Sequence, residues 1–138
     1  MRRIFFIFSL LLALGSAKAV EFEIYQRAQK PLSVALLVRA EGKEADKAAE
    51  FRRIVEADWA HSGALASLDP LVFIADEEET WRQIVYADWR LIGADGVLLA
   101  RLRRDNDAWA LDAELHDPFR MEKVGAIAGA KGDLRRLA

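Results

Sequence analysis

One segment limits the possible folds more than any other. Leu32-Ser33-Val34-Ala35-Leu36-Leu37-Val38 is short, almost wholly apolar and bounded by polar residues. A strand with one wet face alternates apolar and polar positions, and this one does not, so it reads as a strand buried on both faces. Such a strand belongs in a sheet with helices packed on it.

The flanking segments fit that reading. Val20 to Gln26, VEFEIYQ, alternates Phe22, Ile24 and Gln26 with Glu21, Glu23 and Tyr25, the pattern of a half-buried or edge strand. Pro31 lacks an N–H and favours a break before the apolar run. Residues 39–47 read as a loop. A helix is expected from about Asp46 to Ser62, with Phe51, Val55 and Trp59 spaced by four and Ala48 and Ile54 on the same stripe. Asp46 is its expected N-cap, and Gly63 is placed to end it in the left-handed conformation. Ala64 to Ile74 is expected to form a short strand or two at a sheet edge. Asp76 to Glu79, four acids in a row, reads as a solvated loop.

Thr80-Trp81-Arg82-Gln83 fits a T-x-x-Q capping box. It is expected to open a second helix that runs to Ile92 and stops at Gly93; a start near Tyr86 is the alternative. Asp95 to Arg103 predicts a strand, and Asp105-Asn106-Asp107 a turn. Trp109, Leu111, Ala113 and Leu115 then alternate with Ala110, Asp112, Glu114 and His116, which completes a hairpin. Glu122 to Ala128 predicts a third strand, and Asp133 to Ala138 the start of a helix. The fold class is therefore α/β: a mixed sheet of about five strands with two to three helices packed on it.

Residues 1–19 stand apart from this domain. Arg2 and Arg3 are followed by an apolar run from Ile4 to Leu14, then by Ala17-Lys18-Ala19, an A-x-A site. These are the parts of a secretory signal peptide, expected to be cleaved after Ala19. The run is about eleven residues, against about twenty for a membrane span; an uncleaved anchor is the alternative. The chain has no cysteine, so it has neither a lipidated cysteine at that site nor a disulfide. The mature segment, 20–138, must be held by its core. With Arg2, Arg3 and Lys18 removed, the 20 basic residues become 17 against 22 acidic, a net charge of −5. That balance argues against a nucleic-acid partner and against an anionic membrane surface. The expected location is the periplasm.

Sites for catalysis, cofactors and metals are not expected. The two histidines, His61 and His116, have no histidine at metal-ligand spacing. His61 is expected at a helix end and exposed, and His116 on a polar strand face beside Asp117. Asp112 and Glu114 share a strand face that reads as solvated. Gly93 to Gly96 lacks the G-x-x-x-x-G-K pattern of a phosphate loop. Trp59 and Trp109 lie on apolar faces and read as core, whereas Trp81 and Trp89 are left open.

The stretch Tyr86-Ala87-Asp88-Trp89-Arg90-Leu91-Ile92-Gly93-Ala94-Asp95-Gly96-Val97-Leu98-Leu99 resembles the TolB amino-terminal domain family, in which an A-D-W-R block precedes G-A-D and an apolar strand. Ile54 to Leu65, with its Ser62-Gly63 helix end, is similar to the same family, as are Leu111 to Asp117 and Asp133 to Ala138. The resemblance implies a periplasmic domain related in fold to the anticodon-binding domains of tRNA synthetases. It also implies a protein-interaction role in the Tol–Pal envelope-integrity system, which serves protein import and cell division, rather than an enzyme. In that family the mature amino-terminal segment binds TolA. Here it corresponds to Val20, Glu21, Phe22, Glu23, Ile24, Tyr25 and Gln26, and an extended end of this kind can add to a partner's sheet.

No propeller domain follows in this sequence, so the resemblance implies no binding to Pal. The last helix is expected to be cut short. The alternatives are a truncated fragment or paralogue without a partner, and an adaptor domain in envelope or secretion assembly.

Overall fold

A computed structural model describes residues 30–138 apart from residue 43. The expected signal peptide and the expected strand Val20–Gln26 lie outside the described residues. Among the described residues five strands and four helices follow one another as β1 (Leu32–Ala40), α1 (Ala45–Ser62), β2 (Leu65–Ser67), α2 (Glu77–Arg82), α3 (Tyr86–Leu91), β3 (Gly96–Asp105), β4 (Ala108–Asp117), β5 (Glu122–Gly132) and α4 (Leu134–Leu137), with a short 3-10 turn at Pro70–Val72. The strands form one sheet in the order β2-β1-β3-β4-β5. β1 is parallel to both β2 and β3, β4 is antiparallel to β3, and β5 is antiparallel to β4. The sheet is thus mixed, and the fold is α/β.

β1 is apolar from Val34 to Val38 because each of its faces meets a different layer. Leu36 and Val38 pack with Phe51 and Val55 of α1, with Ala100, Leu102, Leu111 and Ala113 of the neighbouring strands, and with Leu134 of α4. Ala35 and Leu37, pointing the other way, pack with Val97, Leu99, Ala94 and Trp89, the last from α3. Burying a leucine side chain contributes about 1.5–3 kcal/mol, and Leu36, Leu37, Leu99 and Leu102 are all fully buried. Of the tryptophans, Trp109 and Trp89 are core, the latter edge-on to Phe73 at 5.2 Å. Trp59 is half-buried against the α1 side, and Trp81 lies under the guanidinium of Arg101.

The boundaries of α1 follow the sequence closely. It begins at Ala45 after Glu44, which makes no side-chain cap, and Asp46 falls inside the first turn rather than at the cap. There its charge still complements the helix dipole. Gly63 ends the helix with φ 67°, donating its N–H to the Trp59 carbonyl at 3.1 Å. The segment after it supplies one edge strand, β2, and then the 3-10 turn that Asp69 caps through the Leu71 N–H.

The acidic run departs from its expected loop. Asp76 caps α2, accepting the Glu79 N–H at 2.8 Å, and Glu77, Glu78 and Glu79 make up the first turn. Four acids at a helix start lie where the unpaired N–H groups and the positive end of the dipole favour them. Thr80 therefore opens no helix. It is buried, and its hydroxyl donates to the Asp76 carbonyl at 2.7 Å. Gln83 is extended and ends α2. The single expected helix is thus two short ones, with Ile84 between them turned into the core.

The β3–β4 hairpin closes through Asn106, at φ 55°, with Asp105 opposite Ala108. β5 is longer than expected and exposed along most of its length. Its pairing with β4 slips twice, between Leu111 and Ala113 and between Leu115 and His116. Gly129 takes φ 65° at the first slip and donates its N–H to the Asp112 carboxylate at 2.8 Å.

Candidate functional site

The segment Val20–Gln26 lies outside the described residues, and the geometry described here belongs to the domain it precedes. Two polar groups fix the end of the sheet at which β1 begins. The Ser33 N–H donates to the Asp95 carboxylate at 2.8 Å, and the Asp95 N–H donates to the Ser33 carbonyl at 2.7 Å. This reciprocal pair ties the starts of β1 and β3 together. It gives the acid of the G-A-D block a structural role.

Beside that pair, α1 ends before it has covered the sheet. An apolar groove of about 330 Å³ results, with Leu32, Val34, Leu65, Leu98, Leu115 and Val124 on the sheet and Trp59 at its side. Asp95 and Asp117 also line it. Leu115 is 38% exposed here, although the β4 alternation places it in the core. Its alternate position is right, but the helix that would cover it is too short.

His116 shows the converse. Its sequence pattern places it exposed beside Asp117, yet it is 7% exposed. The reason is that its face of β4 is covered by α3. The Tyr86 hydroxyl lies 3.1 Å from Nδ1 of His116, and Nε2 lies 3.1 Å from the Glu114 carboxylate. A carboxylate only accepts, so Nε2 carries a proton and donates to Glu114, while the Tyr86 hydroxyl pairs with Nδ1. Lys123 of β5 adds a bond of 3.2 Å to the other Glu114 oxygen. Burial pushes the Glu114 carboxyl up, and the hydrogen bonds from His116 and Lys123 outweigh it, leaving the pKa below the usual range.

Asp112 and Glu114 share a face but bind separately. Asp112 takes two bonds from Arg103, at 3.0 and 3.3 Å, as well as the Gly129 N–H. The Arg103 bond first, and the Gly129 N–H second, hold its carboxyl below the usual range. His61 is exposed in the last turn of α1. Among the described residues no group of three or more His, Asp or Glu is placed to hold a metal ion. The Tyr86–His116 contact left no trace in residue spacing, because only the crossing of α3 over β4 creates it.

Residues 20–124 match the sequence pattern of the TolB amino-terminal domain family. No curated protein sequence matches the chain. Among solved structures, TolB from Acinetobacter baumannii is similar with a TM-score of 0.62 and 16% identity, over 79% of this chain and 26% of that one. The chain thus spans about a quarter of that TolB's length. A PelC dodecamer from Paraburkholderia phytofirmans gives a TM-score of 0.51 at 16% identity, over 77% of this chain and 76% of that one. LpoB from E. coli gives 0.50 at 18% identity, over 74% and 56%. At these identities the structural likeness is one of fold. The family match extends over most of the sequence, and the chain belongs to the TolB amino-terminal domain family.

Proposed function

We propose that the chain is a protein-interaction module of the cell envelope, exported by cleavage after Ala19, that engages a TolA-like periplasmic domain through Val20–Gln26. One observation carries this reading. The family match begins at residue 20, directly after the A-x-A site, and includes the whole of Val20–Gln26. Two further features support it. No helix among the described residues is long and apolar enough to cross a membrane. The acidic and histidine side chains of β4 are bound to one another and to the backbone, as suits a scaffold. Main-chain pairing of this segment with a partner's sheet would supply the affinity, and Phe22 and Ile24, which alternate with Glu21 and Glu23 in the sequence, the selectivity.

The test is capture of the mature protein by a TolA carboxy-terminal domain. Deleting Val20–Gln26 is expected to abolish capture while leaving the circular dichroism of the domain unchanged. Equal capture by the deleted protein overturns the proposal.

A further inference from the structure

Between Asp117 and Val124, both of which line the apolar groove, the chain leaves the groove wall and returns to it through the β4–β5 turn. That turn carries Phe119, Arg120 and Met121, with Phe119 61% and Met121 60% exposed. The turn is held firmly. The Asp117 carboxylate accepts the N–H groups of Phe119 at 2.9 Å and of Arg120 at 3.0 Å, and Arg90 donates to the Pro118 carbonyl at 3.0 Å. The backbone of the turn is therefore held in place, with Phe119 and Met121 exposed beside a concave surface of matching character.

We infer that a second copy of this chain fills the groove with its Phe119–Met121 turn, and that the two copies exchange turns across a two-fold axis. Three observations carry this. Knob and hole lie next to each other on one molecule, as an isologous contact requires, since each surface must meet its own mate. The charges are complementary: Arg120 is basic and exposed, with only Glu122 of its own chain near it among the described residues, at 3.5 Å, and the groove is apolar with Asp95 and Asp117 on its wall, carboxylates that accept backbone N–H groups and retain their charge. Both parts are pre-formed, so association orders little new chain. An exposed apolar surface formed by Phe119, Met121, Leu115, Val124 and Leu32 is also of the kind that soluble domains cover by association.

The inference is independent of the TolA-like partner, and its test uses the purified protein alone. Sedimentation equilibrium is expected to show a concentration-dependent monomer–dimer equilibrium. Phe119→Ser with Met121→Ser is expected to leave only monomer, with unchanged thermal unfolding at dilutions where the unaltered protein is itself monomeric, because both side chains are exposed. Asp95→Asn keeps an acceptor for the Ser33 N–H but removes the charge. It is expected to weaken the dimer by up to about fivefold, the range of an exposed ion pair. Val124→Arg, from the groove side, is expected to give monomer as well. A protein that stays monomeric at every concentration overturns the inference. So does a dimer that survives the double serine change.

Discussion

The hydroxyl of Tyr86 and Nδ1 of His116, thirty residues apart in sequence, lie 3.1 Å apart and join α3 to β4. The bond closes a chain that runs on through Glu114 to Lys123 of β5. One helix and two strands on the same side of the sheet are thereby fixed to each other by side chains rather than by backbone ladders.

Tyr86→Phe removes the hydroxyl that pairs with His116 Nδ1 and little else. A net loss of about 1 kcal/mol is expected for one such hydrogen bond. In a domain of this size that lowers Tm by roughly 4 °C. Calorimetry of the mature protein and the variant measures it, and an unchanged Tm would show that the contact contributes nothing in solution.

The acid limb of stability should depend on Asp112 and Glu114. Both carboxyls titrate below their usual range in the folded chain. In acid the unfolded chain therefore binds more protons than the folded one. The stabilisation is complete above the ordinary carboxylate value of about 4 and is lost as pH falls through the lower folded values. Asp112→Asn keeps an oxygen for the Gly129 N–H but cannot titrate. Its Tm is expected to be lower at neutral pH, with a smaller drop between neutral and acid pH. Parallel curves for the two proteins would refute this.

Gly63→Ala tests the end of α1. Gly63 sits at φ 67° with open space around its Cα. The cost is therefore conformational and not steric crowding, at about 1 kcal/mol. Urea unfolding is expected to show a lower midpoint at constant m. A shift in m would instead indicate a change in the unfolded ensemble.

How far the fold could be read in advance depended on whether a signal was local. The unbroken apolar run Leu32–Val38 announced a strand covered on both sides, and α1 and α3 are those covers. Gly63 and Asn106 marked a helix end and a turn because a positive φ is a local requirement. The acids Asp76–Glu79 misled because charge alone does not distinguish a wet loop from the first turn of a helix. Leu115 and His116 misled for a different reason. Alternation correctly assigned them to opposite faces, but which face is wet depends on how far each helix reaches over the sheet. The groove follows from the same missing length, and no residue pattern within β4 encodes it.

The two slips of register in β5 have a further consequence. A stray strand adding to this sheet would need an even run of outward N–H and C=O groups. β5 instead has Gly129 in a left-handed kink and a second irregularity near Lys123, whose charge is drawn inward to Glu114. An edge broken in this way is a poor template for fibrillar growth. A small, disulfide-free protein with an exposed β-margin is thereby guarded against cross-β aggregation by its own irregular last strand.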